Sequence, residues 1–570
     1  MWDRFLSLSA DDQSAFRRLL SEHDERMALP ELPLLVWQEI AALLTFRDRL
    51  SVRVCCKRLL RLVPVVTSAV VSEHMGRFEV ALRAYSRSLE RLPLALLERV
   101  AIEPLVRGEL DALAQCALPR LRELRVGNGG GVHTTSLASL ALMTQLESLT
   151  LASSELDDGV FDVLLAPGLA RLTALSCAVM WRMTATSLRR LAVLPALRSL
   201  RLEFCMSGAP GVVSCVCDGR ELVANVLPLT QLRSLAVNSV VFAGPEVGAL
   251  SALTNLEELR LRDAALHVPS SLAQLAALPR LHTLVLMFSR APLQLASLRG
   301  LTALRRLALL GQFAASELAQ LAHVRTLRAL ALRRLDATGD AAALDSALRA
   351  WDAGDNVELE EFSCWLQELD DAPSLAFLDA LPRSLRRLRL SLIEAAPRIE
   401  APLRECLAAR LTALELLDLD QARASDATLA RLVLAAGPRL RALSLFGCEA
   451  LGDATLAAIG AACAARLEAL CFGRILHGGG VGLSTLAPLT ACTRLSQLWL
   501  SADRYIDDRA LAPLVAAPQL ALLDLSRCPA VRNPAALQRL MPHCRILLTE
   551  AEHDLLAEAK NRRFKFFDEI

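Results

Sequence analysis

A six-residue phrase returns along this chain. In its commonest form it reads Leu, two variable residues, Leu, one variable residue, then Leu or Val. It opens at Leu121, Leu146, Leu172, Leu197, Leu232, Leu256, Leu281, Leu304, Leu327, Leu359, Leu385, Leu414, Leu440, Leu467, Leu495 and Leu520. These sixteen copies are mostly 23 to 29 residues apart, with longer gaps at Leu197–Leu232 and Leu327–Leu359. No single unit of this size can bury its own apolar face, but stacked neighbours can share one continuous core. The phrase predicts a short strand with its apolar residues pointing inward, followed by a loop and a helix returning on the outside. About four to six aliphatic side chains are buried per repeat, worth roughly 1.5–3 kcal/mol each before chain entropy is charged.

This is the leucine-rich-repeat period, so the predicted fold class is α/β, a leucine-rich-repeat solenoid or horseshoe over residues 118–548. Cys205, Cys448 and Cys528 fall at one phase, after Leu197, Leu440 and Leu520. That pattern resembles the cysteine-containing subclass of leucine-rich repeats, in which this position is a buried turn residue beneath the strand. Residues 206–224 and 336–358 exceed one period and read as loop insertions or degenerate repeats. The charged tail 549–570 carries Leu555, Leu556 and Ala559 on one helical side, as a capping helix would.

Composition narrows the function. With 63 basic and 62 acidic side chains the formal charge is +1, without the basic footprint of a nucleic-acid binder. Hydrophobic residues reach 53% although aromatics are only 4%, which excludes disorder throughout. Nothing approaches about 18 consecutive apolar residues, so no membrane span is expected. The opening Met1-Trp2-Asp3-Arg4 does not read as a secretory signal. Fifteen cysteines show neither a disulfide framework nor paired metal spacing, and fit reduced thiols used as small buried hydrophobes. That places the protein in the cytoplasm or the nucleus.

A different pattern precedes the repeats. Residues 1–28 form a helical extension, and residues 29–64 read as three short helices with too little core to stand alone. Leu32-Pro33 opens the module, Val36, Ile40, Leu43 and Leu44 share one helical face, and Asp48 can cap a second helix. Residues 65–117 connect this module to the array, with a strand at Val65–Val71 and a helix at Arg77–Leu92. Leu32-Pro33, Ile40, Leu44, Asp48, Val54, Cys56, Lys57, Arg58 and Leu62 are similar in register to the F-box, with Leu59 where that motif often has Trp. An F-box followed by cysteine-containing repeats resembles the F-box/leucine-rich-repeat family. The resemblance implies a Skp-type linker protein and a cullin scaffold as partners, with the repeats holding a protein substrate. It assigns the linker contact to Leu32, Pro33, Ile40, Leu44, Val54 and Lys57.

Catalytic patterns are not found. His477-Gly478-Gly479-Gly480 lacks the Gly-x-Ser-x-Gly elbow of an esterase, Gly127–Gly131 lacks the ending of a phosphate loop, and the His residues show no metal spacing. The protein reads as a non-enzyme without cofactor or metal. Binding is expected on the concave strand face, between the buried leucines. There the candidates are Arg260, Ser444, Cys471, Trp499 and Asp524, with Phe446 just beyond its strand core. Arg305, Arg306, Arg333, Arg334, Arg386, Arg387 and Arg389 could clamp an acidic peptide or a phosphate. The expected function is the substrate-recognition adaptor of a cullin-based ubiquitin ligase. The alternative is an interaction scaffold with no ligase link.

Overall fold

The computed structural model describes the strands Ser68–Ser72 and Arg99–Glu103 and, between residues 120 and 548, the repeat strands with most of the returns between them. Outside the described residues lie 1–67, 73–98, 104–119 and 549–570, and connecting stretches such as 205–216, 367–380, 392–410 and 474–483. The F-box-like module with Leu32, Pro33, Ile40, Leu44, Val54 and Lys57, the helix expected at 77–92, the capping tail, Cys205 and both glycine-rich look-alikes therefore fall outside them.

Two compact units divide the chain, Met1–Val241 and Phe242–Ile570. In the first, parallel strands follow one another from Ser68–Ser72 through Arg99–Glu103, Glu123–Val126, Ser148–Ala152, Ala174–Met180 and Ser199–Phe204 to Ser234–Asn238. Among the described residues the ladder thus extends two strands upstream of Leu121. Val100 pairs with Leu124 and Ala69 with Val100, so residues 97–102 (Leu-x-x-Val-x-Ile) and 66–71 (Val-x-x-Ala-x-Val) are weakened copies of the phrase. In the second unit, twelve described strands from Glu258–Leu266 to Arg545–Leu547 stack in chain order, all parallel.

One backbone device recurs along the described ladder. The second and third residues of a phrase both donate their N–H to the carbonyl of the second residue of the preceding phrase. Glu147 and Ser148 bind Arg122 O at 2.8 Å, Glu468 and Ala469 bind Arg441 O, and Ala521 and Leu522 bind Ser496 O. The phrase leucines then line up: Leu259, Leu284, Leu307, Leu330, Leu388, Leu417, Leu443, Leu470, Leu498 and Leu523 retain none of their surface.

The returns differ from the expected helices. Among the described residues most are short 3-10 turns, such as Leu295–Gly300 and Gln320–His323. Only Asp426–Ala436 and Asp453–Ala462 are α-helices of ten residues or more. Spacings of 23 residues around Leu304 leave no room for three helical turns, whereas the 26 and 27 residues after Leu414 and Leu440 do. The first long gap holds a two-residue strand, Cys217–Asp218, paired with Val240 and Val241. The helix Gly219–Val226 follows, its first turn capped by Asp218, whose carboxylate accepts from Arg220 N at 2.8 Å. In the second gap Leu344 and Leu348 are buried one helical turn apart.

Candidate functional site

Side chains alternate across a strand, so the residue between the second and third apolar positions of each phrase points away from the leucine core. Strand register joins these residues into one row across the second unit. It runs Arg260, Val285, Ala308, Ala331, Ser363, Arg389, Asp418, Ser444, Cys471, Trp499, Asp524 and Leu547. Five of the six sequence-derived candidates, Arg260, Ser444, Cys471, Trp499 and Asp524, stand in this row. Phe446 stands one row further along the strands.

The structure corrects the expectation that these residues are open. Trp499, Cys471 and Asp524 are 0% exposed, and Ser444 and Arg260 are 5% exposed. Only Phe446 remains half-buried. Packing along the row accounts for much of this. Parallel strands lie about 4.8 Å apart, so row neighbours touch side by side, and Trp499 sits in an apolar cluster with Leu416, Ala442, Ala469, Cys471, Leu522 and Leu547. A second cluster of Val285, Ala308, Leu310, Ala329 and Ala331 fills the same face earlier in the unit. In the first unit the equivalent residues Thr150, Ser176 and Arg201 stay half-buried.

Several of the candidate arginines have partners within the fold. Arg389 Nε donates to Asp418 Oδ2 at 2.7 Å with both side chains at least nine-tenths buried. Arg260 pairs with Glu258 through its Nε at 2.6 Å, and Arg387 reaches Glu361 at 3.3 Å. Arg386 lies 4.0 Å from Glu415 on the outer edge, and Arg305 donates to the carbonyls of Thr302 and Leu304 at 3.3 Å. The guanidinium groups of Arg260 and Arg389 are thus buried in ion pairs, whereas Arg305, Arg306 and Arg386 remain exposed. Among the described residues no group of three His, Cys, Asp or Glu side chains could hold a metal ion. None of the described helices is long and apolar enough to cross a membrane.

Features that sequence reading missed lie next to the row. Asp420 is half-buried, and its Oδ2 accepts from Ser391 Oγ at 3.1 Å and Gln421 Nε2 at 3.4 Å. Burial, followed by the Asp418 charge, pushes its carboxyl above the usual range, against smaller opposing effects of Ser391, Gln421 and Arg389. Asp503, fully buried, accepts from Tyr505 N at 2.8 Å and Ile506 N at 3.3 Å, and burial again pushes it up. The signal for Asp420 was its position two residues past Asp418, on the same strand face.

No family model matches this chain, and no curated protein does. Solved structures do. The yeast Rad7–Elc1 complex is 19% identical over 74% of this chain and 90% of that one, with a TM-score of 0.41. A leucine-rich-repeat protein of Leptospira interrogans is 14% identical over 72% and 91%, at 0.37. An internalin of Listeria monocytogenes is 16% identical over 73% and 88%, at 0.30. The parallel ladder, its period and its buried leucine positions make this chain a leucine-rich-repeat fold.

Proposed function

We propose that this protein is the substrate-recognition adaptor of a cullin-based ubiquitin ligase. Residues 29–64 dock on a Skp-type linker, and the face of the ladder opposite the leucines holds a protein. One observation supports the binding half: opposite the buried leucine positions the strand face changes character from repeat to repeat, and beyond its sealed row it keeps Trp365, Asp420 and Phe446 half-buried, as it keeps Thr150, Ser176 and Arg201 in the first unit. A repeating frame with a varied face is suited to reading a folded or extended protein. The ligase half rests on the F-box resemblance of the segment that precedes the array. The protein performs no chemistry itself. It raises the effective concentration of a target lysine near the thioester of a partner enzyme, in the cytoplasm or nucleus.

Co-purification tests the ligase half. The full chain is expected to bring down a Skp-type linker. Ile40→Asp and Leu44→Asp are expected to abolish the complex while the circular dichroism of the repeats stays unchanged. A wild-type chain that recovers no linker leaves an interaction scaffold without a ligase.

A further inference from the structure

Phe446 is not isolated. Trp365 stands in register with Ser391, and Ser391 with Asp420. Gln421 N donates to the Phe446 carbonyl at 2.8 Å, which sets Phe446 on the next strand beside Asp420. With strands about 4.8 Å apart, an aromatic side chain stands one strand from this carboxylate on one side and two strands away on the other. Trp365, Asp420 and Phe446 are each half-buried, whereas the adjoining row at Ser363, Asp418 and Ser444 is sealed. Two aromatic side chains and an acid therefore keep partial exposure beyond the sealed row, with Phe446 packed on one side against the Trp499 cluster.

Among the described residues no guanidinium or ammonium group is seen in a direct hydrogen bond to the Asp420 carboxylate. Both hydrogen-bond donors to Asp420, Ser391 and Gln421, are neutral. The neighbouring cation, Arg389, is held by Asp418 at 2.7 Å. Asp418 adds a second negative charge beside Asp420, and burial strengthens the conflict. A carboxylate in that position gains from an incoming cation, and aromatic faces beside it add cation–π attraction.

We infer that the row Trp365–Ser391–Asp420–Phe446 receives a cationic side chain, the ammonium of Lys or the guanidinium of Arg, presented by the protein partner. Asp420 supplies the charge, and Trp365 and Phe446 supply the walls along its apolar stem. This rests on the reading of the face as a protein-binding one. An anionic peptide is disfavoured, because it would meet Asp420 while Arg389 in the adjoining row is bound to Asp418.

The test uses the full chain and pools of short random peptides whose central residue is fixed as Arg, Lys, norleucine or Glu. Retention of the Arg and Lys pools is expected to exceed that of norleucine about tenfold, with Glu lowest. Asp420→Asn is expected to erase the preference without lowering the thermal midpoint, since it removes the conflict with Asp418. Phe446→Ala is expected to weaken the preference several-fold. Glu415→Gln, which removes the same charge from the outer edge of that strand, is expected to leave it intact. Equal retention of all four pools, or equal effects of Asp420→Asn and Glu415→Gln, overturns the inference while protein binding by this face stands. Retention of no pool overturns both.

Discussion

At the scale of single residues, one backbone position repeats a cost. Ser239, Gln421, Gly447 and Arg527 each follow their phrase by the same offset, and all have positive φ, between 56° and 73°. Three of the four carry a side chain there, at roughly 1–2 kcal/mol each. Gly447 is the one that avoids it, and a Cβ added there meets Gln421 Cγ at 2.8 Å. Gly447→Ala is expected to lower stability by about 1–2 kcal/mol, read as a lower urea midpoint with unchanged slope. The thiols report burial differently. The eight described cysteines are free and buried. Cys448 and Cys528 are buried, as their phase predicted, and their Sγ donate to Leu419 O at 3.2 Å and Leu500 O at 3.1 Å, each carbonyl lying in the preceding repeat. Burial pushes Cys177, Cys448, Cys463 and Cys544 from 9.0 up to about 12, and Cys492 to about 11. A raised thiol contributes its stability fully below the unfolded value and loses it as pH climbs toward the folded one. Stability is expected to fall from pH 9 upward, and peptide mapping should find these cysteines unalkylated by iodoacetamide at pH 8 until denaturant is added.

At the scale of elements, aspartates at helix starts tie one repeat to the next. The Asp426 carboxylate accepts from Gly452 N and Ala454 N at 2.9 Å and from Thr455 N at 3.0 Å, capping the helix of the following repeat. Asp453 accepts from Ser484 N at 3.1 Å, and Asp508 from Arg532 N and Asn533 N at 3.2 Å. Asp426→Ala leaves three amides of the next helix without this acceptor, at an expected cost of about 1–3 kcal/mol. Hydrogen exchange should show Gly452, Ala454 and Thr455 losing protection, with the strand amides unaffected. Exposed Arg–Glu pairs between repeats, such as Arg122–Glu147 at 3.4 Å, contribute roughly 0–1 kcal/mol each, so Arg122→Ala should pass nearly unnoticed. Strands were the legible elements, because phrase leucines alternate with variable residues at a period the eye can follow. Of the two upstream strands, the one at Ser68–Ser72 was expected from Val65–Val71, whereas Arg99–Glu103 was not, because Val100 stands where the phrase has its second Leu. The returns were misjudged, because the phrase fixes where a strand begins and not how many residues remain for a helix.

At the scale of the whole molecule, stability is a sum over repeats and their neighbours, and the two faces of the strands differ in composition. Sequence pattern identified the outward row containing Arg260, Ser444, Cys471, Trp499 and Asp524, since period-two alternation decides which side chains leave the core. It could not foresee that Ala469 and Cys471 would let Trp499 sink among its neighbours, because lateral packing depends on residues a full repeat away. Nor did it isolate Asp420 between two aromatic side chains, a grouping made by register across three strand pairs. The ligase account joins the two ends of this chain, and quantitative proteomics tests that junction in cells expressing either the full chain or its Ile40→Asp, Leu44→Asp variant. Both forms should capture the same proteins through the repeats. Only the full chain should also carry a Skp-type linker and cullin, and the captured proteins should be more abundant in cells with the variant. Captured proteins at equal abundance in both cells, with no linker on the full chain, would contradict it.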